Sequence, residues 1–196
     1  MDAIAELSAE KGYGATKIAD IVSRAGVARK TLYDNFDGKE EVFLAAIDTV
    51  IKEAMARVAA ACADVGVDWK QQVEAGLKAM LSYVAEHPAA ARMCMVEALS
   101  ATPAASARYD EAMRECIGFL RQIVPKNTGL PETIEETLVG GVAWILHQQI
   151  RRGEAEKALD LLPELSDFVL SPYHGVGKSG PTRADESDST VTDSKV

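Results

Sequence analysis

Apolar residues along this chain recur at intervals of three and four rather than two, from Ile4 through Val169. That spacing follows the 3.6-residue turn of an amphipathic helix, not the alternation of a strand. It predicts an all-α fold of about nine helices. The first covers roughly residues 2–11, with Ile4 and Leu7 on one face, and stops at Gly12-Tyr13-Gly14, because glycine accepts the left-handed conformation that ends a helix. The second, about 17–24, takes Thr16 as its N-cap. It turns Ile18, Ile21, Val22 and Ala25 inward at i, i+3, i+4 and i+7. Gly26 breaks it, and a short third helix at about 28–35 faces inward with Leu32 and Phe36.

The rest of the chain is punctuated by caps and prolines. Asp37 and Glu40 have capping-box spacing and open a long fourth helix reaching about residue 64. Asp68 caps a fifth that runs to about 86. Pro88 suits the first turn of a sixth, and Thr102-Pro103 opens a seventh that ends near 125. An eighth covers about 132–152, Gly153 ends it, and a ninth covers about 154–170. From Gly175 the composition turns to Gly, Ser, Thr and Asp with almost nothing to bury, which predicts a disordered tail. Three units are therefore expected: a head at 1–47, a larger helical body at 48–174, and the tail at 175–196.

The head carries the most specific signal. "AGVARKTLYDNF", Ala25–Phe36, joins two short helices through a tight glycine turn, as a helix-turn-helix does. Val27 is placed to plug the small core between them, and Leu32 and Phe36 pin the third helix. Arg29, Lys30, Thr31, Tyr33 and Asp34 then remain for the outer surface. A helix entering the major groove needs such cations and hydrogen-bonding groups: Arg29 and Lys30 for guanine O6 and N7 or for phosphate, Thr31 for a base edge, and Tyr33 for a phosphate oxygen. Thr16 and Lys17 at the start of the second helix, and Lys39 at the start of the fourth, are expected to grip the backbone on either side.

Charge complicates this reading. The chain has formal net charge -9. Residues 1–48 hold six Lys/Arg against nine Asp/Glu, so affinity for DNA is expected to be modest and steeply salt-dependent. Asp34 either repels phosphate or accepts from cytosine N4. Other chemistry finds little support. Cys62, Cys94 and Cys116 have no metal-ligand or C-x-x-C spacing and read as reduced thiols of a cytoplasmic protein, with a thiol-based redox sensor as the alternative. His87, His147 and His174 are scattered, and no nucleophile elbow, P-loop or dinucleotide fingerprint is present, so neither an enzyme, a metal site nor a cofactor is expected. No stretch approaches 18 uncharged apolar residues, and no membrane span is expected.

The segment Gly12–Ile47, "GYGATKIADIVSRAGVARKTLYDNFDGKEEVFLAAI", resembles the DNA-binding region of TetR-family transcriptional regulators. The likeness rests on Thr16, Ile18-Ala19, "AGV" at 25–27, "TLY" at 31–33, Phe36 and "KEE" at 39–41. It implies a homodimer whose third helices enter successive major grooves of a palindromic operator. It also implies a ligand cavity in the body, whose occupancy resets the spacing of the two heads, and hence a repressor released by a small, largely apolar effector. The residues carried over to DNA are Thr16, Lys17, Ala28, Arg29, Lys30, Thr31, Tyr33 and Lys39. Ala28 stands where the family often has a capping serine, and Lys30 where glycine is frequent. Met1 falls inside the first helix, whereas members usually begin earlier with a basic lead-in. The alternative function is therefore a helical ligand-binding or oligomerisation module with impaired DNA binding.

In the body, the resemblance makes the last two long helices the dimer interface, through Leu138, Val142, Ile145, Leu161, Leu165 and Phe168. An intrachain core is the competing reading of the same residues. Methionines and aromatics can line an apolar pocket. Tyr83, Met95, Tyr109, Met113, Trp144 and His147 are the candidates, with Trp144 and His147 three apart on one helix face.

Overall fold

The computed structural model of the chain describes residues 2–174; the tail expected at 175–196 lies outside the described residues. Within them the fold is all-α. Three short helices, α1 (Asp2–Lys11), α2 (Ile18–Ala25) and α3 (Arg29–Tyr33), form the head. The body follows as α4 (Lys39–Asp64), α5 (Trp69–Glu86), α6 (Pro88–Arg92), α7 (Ala98–Ala101), α8 (Pro103–Ile123), α9 (Ile134–Arg151) and α10 (Leu162–Leu170).

Several stops and starts follow local chemistry. Gly26 adopts φ 65°, and its backbone closes the end of α2 on the carbonyls of Val22 and Ser23. The Asp68 carboxylate accepts from the backbone N–H groups of Lys70 and Gln71, and Thr102 Oγ1 accepts from that of Ala105. Other expected caps are replaced. The N-cap of α2 is Lys17, not Thr16, and its N–H is satisfied by the Asp20 carboxylate at 2.9 Å. Gly38, not Asp37, caps α4, and the Asp37 N–H donates to Glu41 rather than to Glu40.

Two of the expected helices are not continuous. The sixth is interrupted by a wide π-helical turn, Met93–Glu97, between α6 and α7. The ninth begins as a 3₁₀ stretch, Ala155–Leu161, and becomes α-helical only at Leu162. Pro163 explains that switch: it lacks the N–H an α-helix needs and fits only a first turn.

Three apolar clusters hold the molecule together. The head cluster gathers Ile4, Leu7, Ile21, Leu32, Phe43 and Ile47, and it also takes Met93 and Ala98 from the body. A second cluster joins Leu81, Val84, Leu146, Ile150 and Leu165. A third joins Val73, Val124, Leu138, Val169 and Tyr173. The boundary expected at 47/48 falls within α4, an unbroken helix shared by head and body.

Candidate nucleic-acid interface and apolar cavity

α3 is five residues long and owes its position to one buried side chain, Leu32, with Phe36 half-buried after it. Ala28, Arg29, Lys30, Thr31 and Tyr33 are all exposed. The Arg29 guanidinium lies 5.5 Å from the Tyr33 ring centre and donates to Tyr33 Oη at 3.3 Å, so the two side chains hold each other on the outer face. Asn35 Nδ2 donates to the Thr31 carbonyl at 2.8 Å and ties off the last turn. Ala28 caps α3 with extended backbone and no side-chain hydrogen bond. Val27, expected to plug the core, is 43% exposed instead, and Ala25 is exposed as well.

The six cations of the head divide into two groups. Lys11 pairs with Asp20 at 2.6 Å, and Arg24 pairs with both Glu6 and Glu10 at 2.9 Å. Arg24 holds the Glu10 carboxyl below its usual range, and Lys11 does the same to Asp20. Lys39 Nζ donates to the Tyr13 carbonyl at 2.9 Å and sits 4.0 Å from the Tyr13 ring centre. Lys17, Arg29 and Lys30 have no carboxylate partner among the described residues, and all three are exposed. Pairing within the head leaves its acidic surplus unchanged, but the cations that remain free include the adjacent pair on α3.

Two of the residues expected at phosphate lie elsewhere. Thr16 is buried, 1% exposed, and its hydroxyl donates to the Gly12 carbonyl at 2.9 Å. A side chain so enclosed has no access to DNA; it closes the turn between α1 and α2. The Lys39 ammonium is likewise committed to Tyr13, which in turn packs on Phe43 with ring centres 4.5 Å apart.

The body holds an open-mouthed apolar cavity of about 170 Å³. Met55, Val58 and Cys62 of α4, Gly76, Leu77 and Met80 of α5, Met95 of the π-turn, Met113, Cys116 and Phe119 of α8, and Leu138, Val142, Ala143 and Leu146 of α9 line it. Its one amide side chain, Gln72, is already engaged, donating to the Gly66 carbonyl at 2.6 Å. Nothing in this wall calls for a polar group on an occupant. An apolar cavity of about 150 Å³ suffices for a benzene ring, and the four methionines have flexible thioether chains that can re-seat around something larger. Met55 also borders a polar surface cleft between α4 and α8, lined by Asp48, Lys52, Arg108, Glu111 and Glu115. Burial pushes the Cys116 thiol up to about 11 and the Cys94 thiol up to about 12, so both stay protonated near neutrality.

Residues 1–46 match the family described as bacterial regulatory proteins, tetR family. The head of the chain, residues 1–46, is thus similar to the N-terminal region of that family. A curated relative, the HTH-type transcriptional activator FasR of Mycolicibacterium smegmatis, is 23% identical over 128 residues, or 65% of this chain and 58% of that protein. The chain therefore spans little more than half the length of this relative. Among solved structures, the fatty acid degradation regulator FadR of Bacillus halodurans superposes with TM-score 0.76 at 15% identity, covering 86% of this chain and 95% of that one. FadR of Bacillus subtilis, in complex with stearoyl-CoA, gives TM-score 0.74 at 17% identity, covering 88% and 97%. These likenesses establish the fold: a TetR-type head on an all-helical body.

The family-based expectations for the body are redistributed by the packing. Of the ligand candidates, Met95 and Met113 line the cavity. Tyr83 is buried elsewhere and donates its hydroxyl to Glu53 at 3.1 Å. Tyr109 is half-buried on α8 outside the cavity wall. His147 faces the π-turn, with Nδ1 2.7 Å from the Met95 carbonyl oxygen. Trp144 is 61% exposed and stacks on His147 with ring centres 5.9 Å apart, so it points away from the cavity. Of the interface candidates, Leu138 and Leu165 are fully buried within the protomer, which removes them from any outer surface. Val142, Ile145 and Leu161 are half-buried, and Phe168 is 38% exposed. Met80 of α5 and Phe119 of α8 are among the methionines and aromatics expected to be able to line a pocket, but the apolar lining from α4 was not anticipated. Its only sequence trace is Gly76, where a Cβ would come within 3.1 Å of Cys62 Sγ, a sign of close helix approach.

Proposed function

We propose that this chain is a ligand-responsive, DNA-binding transcriptional regulator. Two copies read a palindromic operator with α3, and an effector with an apolar tail releases them, making the protein a repressor. The observation that carries this reading is the α3 surface: Arg29, Lys30, Thr31 and Tyr33 exposed together on a helix pinned from beneath by Leu32. Residues 1–47 act as the DNA-reading unit and residues 48–174 as the effector-binding and dimerisation unit. Lys17, Ala28, Arg29, Lys30, Thr31 and Tyr33 meet the duplex, while Thr16 and Lys39 hold the head's internal geometry. The outward face of α9 and α10, with Trp144 and Phe168 at its centre, joins the two copies.

The effector class follows from the cavity wall. An alkyl or acyl chain satisfies it, and a polar or charged group inside it would lack hydrogen-bond partners. A polar head group would remain outside, at the cleft bordered by Met55. The stearoyl-CoA bound by the similarly folded FadR of Bacillus subtilis is consistent with that chemistry. The test begins with selection of bound sequences from random duplex DNA by the full chain, followed by titration of the selected duplex with stearoyl-CoA and, separately, coenzyme A. Enrichment of a palindrome, and its release by the acylated compound alone, support the reading. Equal weak binding to every sequence counts against it.

A further inference from the structure

We infer that the π-helical turn Met93–Glu97 couples the cavity to the DNA-reading head, and that Glu97 is the positioning residue at its output. This inference rests on the function proposed above. Successive side chains of the turn belong to different cores. Met93 is fully buried in the head cluster and Cys94 packs against it, whereas Met95 and Val96 pack against the second cluster of the body. Met95 also lines the cavity. Glu97 then returns to the head: its Oε2 accepts from the backbone N–H of Tyr13 at 3.1 Å and lies 3.5 Å from where a Cβ of Gly12 would stand.

The Gly12–Tyr13 turn is a junction of the head. The Gly12 carbonyl accepts from Thr16, which leads directly into α2. The Tyr13 carbonyl accepts from Lys39 at the start of α4, and the Tyr13 ring packs on Phe43. The Glu97 carboxylate therefore fixes, through one backbone N–H, the turn on which α1, α2 and α4 converge. At the input end, a π-turn breaks the regular helical ladder, and His147 supplies a donor for the Met95 carbonyl at 2.7 Å. Such widened single turns are rare and occur frequently at functional sites. A chain entering the cavity displaces Met95, re-seats the turn, and lifts Glu97 from the Tyr13 N–H.

The experiment uses the full chain and no effector. Ala143 lines the cavity one turn before His147 on α9, so Ala143→Phe places a ring in the cavity as a built-in occupant. Val142→Phe is the second filling variant, should the first fail to fold. Amide hydrogen exchange at Tyr13 is the readout. Glu97→Ala should speed it by about tenfold or more, as loss of a bond to a charged acceptor predicts, and Glu97→Gln should restore part of the protection. The filling variant should speed Tyr13 exchange comparably while the Lys70 and Gln71 amides at the Asp68 cap stay unchanged. It should add nothing further in the Glu97→Ala background. Tyr13 exchange that ignores cavity filling, or effects of the two substitutions that simply add, overturns the inference. Neither result depends on DNA or acyl binding, so failure of the proposed function is seen separately, in the duplex titration.

Discussion

Salt dependence of DNA binding follows from the partition of charges in the head. Three cations per head, Lys17, Arg29 and Lys30, are exposed without a carboxylate partner among the described residues, while Lys11, Arg24 and Lys39 are held internally. In the proposed dimer two heads offer six cations, and a slope of about 0.9 per neutralised phosphate gives log K against log salt of about -5. Between 50 and 200 mM salt the affinity should fall by about a thousandfold. Replacing Lys30 with Ala removes one cation per head, so the slope should flatten to about -3.6 and the loss to about 150-fold. Fluorescence anisotropy of the selected duplex at four salt concentrations measures both. Lys11→Ala and Lys39→Ala serve as controls, since neither ammonium is free. A slope unchanged by Lys30→Ala, or equally flattened by Lys11→Ala, would show that the outer face of α3 is not what meets phosphate.

Other outcomes can be stated more briefly. Leu32→Ala should destabilise the head by about 2–5 kcal/mol and abolish operator binding, measured by thermal unfolding and anisotropy together. Thr16→Val should cost about 1–3 kcal/mol by leaving the Gly12 carbonyl unpaired, yet leave the salt slope unchanged; a flattened slope would return Thr16 to the phosphate backbone. Because Arg24 lowers the Glu10 carboxyl, that pairing stabilises the fold above the ordinary carboxylate range, and its contribution disappears as pH falls through the lowered value. The melting-temperature gap between the native chain and Arg24→Met should accordingly be present at pH 7 and close in strong acid. In Gly141→Ala the added methyl would meet the Phe168 ring at 2.9 Å. If Phe168 sits in the proposed dimer interface, that clash should raise dimer dissociation by about tenfold or more while protomer stability holds, as sedimentation can show.

The legibility of this molecule in its sequence varies with the range of the forces involved. The α2-turn-α3 unit was readable because its determinants are local: Gly26 at positive φ, and Leu32 with Phe36 one turn apart. Thr16 misled because a threonine before a helix signals a cap, whereas here the backbone turn at Gly12 lies closer and captures its hydroxyl. Lys39 misled for a similar reason, since an aromatic ring 26 residues earlier competes for its ammonium. The cavity was only half visible. Periodicity identifies apolar faces but not which face meets a void, and so it could not separate Met95 and Met113, which line it, from Trp144, which faces outward. The π-turn left no periodic signature, and its adjacent side chains are divided between two cores.

The two tryptophans of this chain occupy contrasting surroundings. Trp69 is half-buried, edge-on to Tyr173 at 5.6 Å, whereas Trp144 stands mostly in water on α9. With Trp69 replaced by Phe, the remaining indole becomes a single optical probe on the surface assigned to self-association. Its emission should move to shorter wavelength as concentration rises and water is stripped from the ring, giving a spectroscopic titration of pairing that needs no added label.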